Sequence, residues 1–396
     1  VTDEAGIEAL EPWMRGIRHD LHAHPELAFE EVATADRVAQ ELERMGIDFV
    51  RGIGGTGVVA SIRGEPGGGS IGLRADMDAL PMEEANSFAH RSRHPGKFHG
   101  CGHDGHTTML LGAARVLADK RRFCGTVHLI FQPAEESAGG ARAMLDDGLL
   151  ERFPMSAVYG LHNSPLLPVG AFATRAGPML AAVRRFDITV RGRSGHGAFP
   201  HLAVDPIVVA AGLVQSLQSI VSRRLDPLAP AVLTISKLHA GDAYNVIPES
   251  ALLGGAIRYF EPAVGERLQG EIRRIAAGIA LAHDAAIDIT FANDYYPPLV
   301  NTGRESLIAL EAATRAAGGV AAQAGAPMLM GSEDFAWMLQ SIPGCFMAIG
   351  NGDGPDSCMV HNANYDFNDS ILTTGVRYWV ELVRLALPLK ASATGS

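Results

Sequence analysis

The sequence predicts an α/β chain in which a mixed sheet flanked by helices is interrupted by an inserted α+β layer. Three observations carry this expectation. Apolar runs of strand length alternate with helical periodicity through residue 181. From residue 182 to 293 the order becomes strand, helix, strand, strand, helix, strand. From residue 294 to 396 the strand and helix patterns of the first part resume, so 1–181 and 294–396 read as one domain around an insertion.

In chain order, residues 30–46 (EEVATADRVAQELERMG) place apolar side chains at helical spacing and stop at Gly46. GVVASIRG and SIGLRADMD read as strands around EPGGG, with the glycine run as the turn between them. Residues 104–118 (DGHTTMLLGAARVLA) read as a helix with Asp104 as its N-cap. GTVHLIFQ is an apolar strand, AGGARAMLDDGLL a helix and SAVYGLHN a further strand. The insertion then runs FDITVRGRSG, DPIVVAAGLVQSLQSIVSR, AVLTISKLHAG, SALLGGAIRYF, PAVGERLQGEIRRIAAGIALAHDA and AIDITFANDY. Two helices and four strands in that order suit a ferredoxin-like layer. The last part carries two helix patterns and the strand GCFMAIGN.

Composition narrows the function. The chain has 396 residues, 47% of them hydrophobic, and a net charge of −11. That is ample for a core and argues against nucleic acid as a partner, because phosphate binding needs basic patches. No run of about 18 apolar residues exists, so no membrane helix is expected. The N-terminal VTDEAGIEALEPWMRGIRHDL lacks a positive leader followed by an apolar stretch. Together with four cysteines and no CxxC pair, this sets a cytoplasmic, reducing compartment as the expectation.

The chemistry concentrates at strand ends and in loops. HGCGHDGH, residues 99–106, holds five side chains able to bind a metal: His99, Cys101, His103, Asp104 and His106. Cys101 and His103 are two apart, so an extended backbone points both to one side. FQPAEES puts Glu135 and Glu136 after an apolar strand. A metal hydrolase needs one carboxylate for the metal and another to take a proton from water, and neighbouring residues point in different directions. His162 ends the strand in YGLHNSP, and His361 lies in the polar loop VHNANYDFND. LRADMDALPM places Asp76 and Asp78 at a strand end, as ligands or as groups orienting a ligand. His196, in GRSGHGAFPH, has no acidic companion nearby and reads as a substrate-facing donor. His19, His22 and His24 take a structural reading, since no glycine loop or cysteine frames them.

These segments resemble the amidohydrolase branch of the aminoacylase/carboxypeptidase G-type metallopeptidases, which includes hippurate hydrolases, N-acyl-amino-acid amidohydrolases and plant indole-acetyl-amino-acid hydrolases. The resemblance rests on RHDLHAHPELAFEE, LRADMDALPMEE, HGCGHDGHTTMLLGAA, FQPAEESAGGARAM, GLHN, GHGAFPH, DPI, AYNVIPE, GSEDFA and HNANYDFND, in order from residue 18 to 369. It implies a catalytic domain with an inserted lid, and two divalent metal ions (Mn, Zn or Co) on Cys101, His103, Glu136, His162 and His361. It also implies Glu135 as general base and His196 as the lid histidine that steadies the oxyanion. Asn245 and Arg258 fall where the lid holds the substrate carboxylate, while Asp76, Asp78 and Asp104 fall behind the ligands. The implied reaction is hydrolysis of a small N-acyl amino acid by a homodimer or higher homo-oligomer joined through the lid. A dipeptidase on the same fold and a non-catalytic metal-binding protein are the alternatives. Two positions depart from the branch: Gly197 replaces an alanine, and Ser164 replaces an aromatic residue, which is expected to enlarge a substrate pocket.

Overall fold

The computed structural model describes residues 4–136, 139–293, 295–318, 322–354 and 357–390. The chain forms two compact units. The first comprises the residues up to Met179, Val300–Pro327 and those from Glu333 onward; the second comprises Leu180–Leu299 and Met328–Ser332.

Six strands of the first unit's sheet come first: β1 (Asp48–Ile53), β2 (Gly57–Arg63), β3 (Glu65–Asp76), β4 (Cys124–Gln132), β5 (Ala157–Ser164) and β6 (Phe172–Thr174). The second unit supplies β7 (Ala182–Arg191), β8 (Ala231–His239), β9 (Ser250–Tyr259) and β10 (Ala286–Phe291). The first unit then closes with β11 (Gln323–Ala324) and β12 (Gly344–Gly350). The main helices are α1 (Glu11–Ala23), α2 (Val32–Arg44), α3 (His103–Lys120), α4 (Pro206–Arg223), α5 (Pro262–His283), α6 (Gly303–Ala316) and α7 (Leu372–Ala386).

The sheet of the first unit is mixed, in the order β1-β2-β4-β3-β5-β12-β6-β11. Its centre is parallel: β3 pairs with β4 and with β5, and β5 pairs with β12. Parallel strands are covered on both faces, so their segments are near-continuous apolar runs. Their C-terminal ends come level, with Asp76 opposite Gln132 and His162 opposite Ala348. Polar residues that follow these strands therefore gather along one edge, where parallel sheets place their ligands. Helix α3 is buried on every side from His103 to Ala114, so its first turn lies inside the unit.

The EPGGG segment is not a turn. It forms the first half of β3, and the chain reverses at Gly64 instead. The register slips between Glu65 and Ser70. A Cβ on Gly68 would lie 1.7 Å from the Cys124 carbonyl oxygen, and one on Gly125 2.1 Å from that of Gly69. The glycines serve a close approach of two backbones at a bulge rather than a reversal.

The sheet of the second unit runs β8-β9-β7-β10, with every pair antiparallel. α4 starts at Asp205, whose carboxylate accepts from the Ile207 amide, with Pro206 in the first turn. Each unit has its own core. One gathers around Leu73, Leu129, Leu110 and Trp379, the other around Phe186, Ile188, Leu213 and Leu268.

Candidate metal centre

Five side chains converge at the ends of β3, β4 and β5 and the start of α3. Cys101 Sγ lies 3.5 Å from His162 Nε2. Cys101, Glu136 and His361 each offer a ligand atom within 4.8 Å of the others. Glu136 Oε1 is 3.3 Å from His361 Nε2 and 3.9 Å from His103 Nε2.

The ring orientations are set from behind. His103 Nδ1 donates to the Asp78 carbonyl at 2.9 Å and to Asp78 Oδ1 at 3.2 Å, which turns Nε2 toward Glu136. His162 Nδ1 donates to the Asn163 carbonyl at 2.7 Å, leaving Nε2 toward Cys101. Asp78 Oδ2 also accepts from the Glu136 amide at 3.0 Å, so one buried aspartate fixes two of the converging residues. This is the arrangement by which a carboxylate behind a histidine sets its tautomer. The His361 loop is pinned by its own amide to the Gly100 carbonyl at 2.8 Å, with His361 at φ 64°.

Two buried polar atoms here, His103 Nε2 and Glu136 Oε1, have no hydrogen-bond partner among the described residues. Unmet buried groups are costly unless something else meets them. One thiol, three imidazoles and a carboxylate form a donor set suited to divalent ions, and unlike a closed structural zinc site it has only one cysteine. The residues fit a metal.

Without an ion, the converging groups hold their protons unequally. Burial opposes a charge on His103, but Asp76 and Asp78 outweigh it and raise its pKa to about 10. Burial also works against the Glu136 carboxylate, yet the nearby His361 and His103 hold its pKa below the ordinary value. Burial lowers His162 to about 4, so its imidazole is neutral at pH 7, as a ligand must be. Burial and then the neighbouring Glu136 raise the Cys101 thiol well above its usual range.

Glu135 sits beside this group, 6% exposed, with its Oε1 accepting from the Asp334 amide at 3.3 Å. The preceding Ala134 adopts φ 54°, a strained value for a residue with a Cβ. Its amide is held by Glu31 Oε1 at 2.8 Å and its carbonyl by the Gly140 amide at 3.0 Å. A carboxylate oxygen of each glutamate lies within 4.8 Å of the other and of a His103 ring nitrogen.

The sequence profile of peptidase family M20/M25/M40 matches residues 72–385, most of the chain and the whole of this centre. The chain belongs to this family. Membership makes it a hydrolase. It is 39% identical to an IAA-amino acid hydrolase ILR1-like 2 of Arabidopsis thaliana over 96% of this chain and 86% of that one. It is also 39% identical to the hippurate hydrolase of Campylobacter jejuni, over 92% of this chain and 94% of that one. A solved Bacillus subtilis structure, described as a dinuclear metal binding peptidase of the M20 family, superposes with a TM-score of 0.83. It shares 35% identity and covers 96% of this chain and 99% of its own.

Within this family member the other expected residues fall in several places. Cys101 and His103 do not flank an extended residue: Gly102 between them is at φ 93° and is the N-cap of α3. Asp104 is therefore not the cap but the second residue of the helix. It is buried against His22 Nδ1 at 2.8 Å and Arg18 Nη1 at 3.2 Å and belongs to none of the donor groups around the centre. His106 has both nitrogens engaged, Nδ1 on Asp76 Oδ1 at 2.6 Å and Nε2 accepting from the Asn163 amide at 2.9 Å. Asp76 stands 3.7 Å from His103 Nε2. Ser164 ends β5, its Oγ accepting from the Leu166 amide at 3.3 Å.

His196, Asn245 and Arg258 belong to the second unit. His196 pairs with Val246 in a two-residue ribbon, and the Gly197 amide donates to the Asn245 carbonyl at 2.8 Å. His196 Nδ1 accepts from the Ala198 amide at 3.0 Å, which puts the proton of the neutral ring on Nε2. Arg258 Nη1 donates to the Met330 carbonyl at 2.6 Å and Ser332 Oγ at 3.1 Å.

Three groups around Glu135 carried no role in the sequence reading: Arg74, Glu333 and Asp334. Their signal was present. An arginine inside the apolar strand SIGLRAD must bury its charge against carboxylates, and GSEDFA supplies two.

Proposed function

We propose that the chain is a di-metal amidohydrolase that splits N-acyl-L-amino acids into a carboxylic acid and an amino acid. The observation that carries this reading is the pairing of Glu135, beside the Asp334 amide, with a cluster whose buried His103 Nε2 and Glu136 Oε1 make no hydrogen bond among the described residues. Cys101, His103, Glu136, His162 and His361 would hold two divalent ions, with Mn, Zn and Co all compatible with this mixed donor set. Bound there, the ions supply an acidified water and polarise the amide carbonyl.

The protein groups divide the remaining work. Glu135 takes the proton from the attacking water and passes it to the leaving nitrogen. His196, with its proton on Nε2, donates to the carbonyl oxygen as charge develops; one such donor contributes about 2.7–4 kcal/mol. Asn245 and Arg258 hold the substrate carboxylate. Asp76 and Asp78 steady the histidines behind the ions. The names of the relatives, hippurate hydrolase and IAA-amino acid hydrolase, support aromatic acyl groups.

The second unit would serve as the lid and join copies of the chain into a homodimer. Support comes from apolar side chains exposed on it, including Val208, Leu238 and Leu252. A cytoplasmic setting belongs to the same reading, because Cys101, Cys124, Cys345 and Cys358 are all free. No helix among the described residues is long and apolar enough to cross a membrane.

The test is Glu135→Gln in protein reloaded with each metal and offered benzoyl, acetyl and indole-acetyl amino acids beside unblocked dipeptides. Turnover of the best substrate should fall roughly 10²–10⁴-fold with metal content unchanged. Near-normal turnover would remove Glu135 from the chemistry. A strict need for a free α-amino group would make the chain a dipeptidase instead.

A further inference from the structure

Arg74 is fully buried in the middle of the first unit. Its guanidinium reaches three segments at once. Nε donates to Gln132 Oε1 at 2.8 Å, at the end of β4. Nη1 donates to Asp76 Oδ2 at 2.7 Å. Nη2 donates to Glu333 Oε1 at 2.8 Å and Asp334 Oδ1 at 3.1 Å.

The contacts beyond Arg74 lead to the loop that carries Glu135. The Asp334 amide donates to Glu135 Oε1, and Asp334 Oδ2 accepts from the Ala141 amide at 2.8 Å, where the chain resumes as a helix after the glutamate pair. Glu333 Oε1 accepts from the Phe335 amide at 3.0 Å, which shapes the same turn. Glu135, Glu333 and Asp334 offer carboxylate oxygens within 4.8 Å of one another. Three buried carboxylates at that spacing repel unless a cation sits among them. Burial works against the charge on Arg74, but Glu333, Asp76 and Asp334 outweigh it and keep it protonated. A fork of fixed donors suits this place better than a point charge, because it binds several acceptors at set angles.

We propose that Arg74 is a positioning residue for the Glu135 carboxylate, acting through the Glu333–Asp334 turn and separately from its contact with Asp76. It touches no reacting atom in this account. It cancels the repulsion that would push Glu135 away from Asp334, and it holds the amide on which Glu135 rests. The inference deepens the proposed function and rests on the role given there to Glu135.

Arg74→Lys tests it, keeping the charge and removing the fork. In metal-loaded protein, kcat should fall roughly 10–100-fold, while KM, metal content by mass spectrometry and the thermal midpoint stay close to those of the parent. In a Glu135→Gln background the same substitution should cost almost nothing further, since two residues acting through one group are not additive. Glu333→Gln, which keeps its shape and its acceptor for the Phe335 amide, should show the same kcat-only loss and serves if Arg74→Lys does not fold. Unchanged kcat in a folded variant would overturn the proposal. So would metal loss in step with kcat, which would assign Arg74 to the Asp76–His106 side, or a full additional loss in the Glu135→Gln background. If Glu135→Gln alone keeps its turnover, the reading of Glu135 fails; if it is inactive and Arg74→Lys is normal, only the positioning role fails.

Discussion

At the scale of single residues, the centre shows how burial distributes protons. His22 and Asp104 lie side by side without solvent, with His22 also 3.3 Å from Glu84. Burial opposes the charge on His22, but Asp104 and Glu84 outweigh it and raise its pKa from the ordinary 6.5 to about 9. A raised histidine contributes stability that is fully present below its unfolded pKa and is lost as pH rises through the folded one. The window is therefore between about pH 6.5 and 9. Urea unfolding of the metal-free protein and of His22→Gln across that window should show the parent losing its advantage, on the order of 3 kcal/mol. A pH-independent difference would mean that His22 is neutral in the fold. The same scale explains why residue counting overstates the ligands. HGCGHDGH offers five donors, yet Asp104 turns to His22 and Arg18, and His106, although within 4.8 Å of the His103 and His162 donors, has both ring nitrogens already hydrogen-bonded.

At the scale of elements, the sharpest requirement is the entry to α3. Gly102 is left-handed, and a Cβ there would meet Asn163 Oδ1 at 2.6 Å and Tyr365 Oη at 2.7 Å. Gly102→Ala combines backbone strain with a clash against buried polar groups, at a cost of about 1–3 kcal/mol. Because Cys101 and His103 flank it, metal affinity should also drop, by roughly tenfold or more. Calorimetry and metal titration check both; an unchanged affinity would mean that the Cys101 and His103 backbones relax without consequence. Most elements were legible because apolar periodicity reports burial, as in β4, α4 and α5. The glycine run in β3 was not, because a backbone close approach and a turn use the same residue type. The helix Ala336–Ser341 was missed too, being too short to show a period.

At the scale of the whole molecule, the chain forms two units with separate cores. The five proposed ligands and Glu135 all lie in the first unit, while His196, Asn245 and Arg258 all lie in the second. His196→Ala should therefore leave metal content untouched and lower kcat by roughly 10²–10³-fold with the best substrate. Full kcat in that variant would remove His196 from the chemistry.

The sequence alone determined the α/β class, the βαββαβ insertion and the segments from which the centre is drawn. Periodicity and the order of strands and helices are local properties, written in neighbouring residues. The resemblance drawn from ordered motifs likewise needed no coordinates, and the family match over residues 72–385 agrees with it. Only the tertiary structure decided which polar groups face one another. Asp104 was drawn to Arg18 and His22 from a helix 80 residues earlier in the chain, as their separations of 86 and 82 positions record. Arg74 meets Glu333 and Asp334 across 259 and 260 positions. Buried charges choose their partners by distance in a low-dielectric interior, and that distance exists only after β3, β4 and the 333–334 turn have packed together.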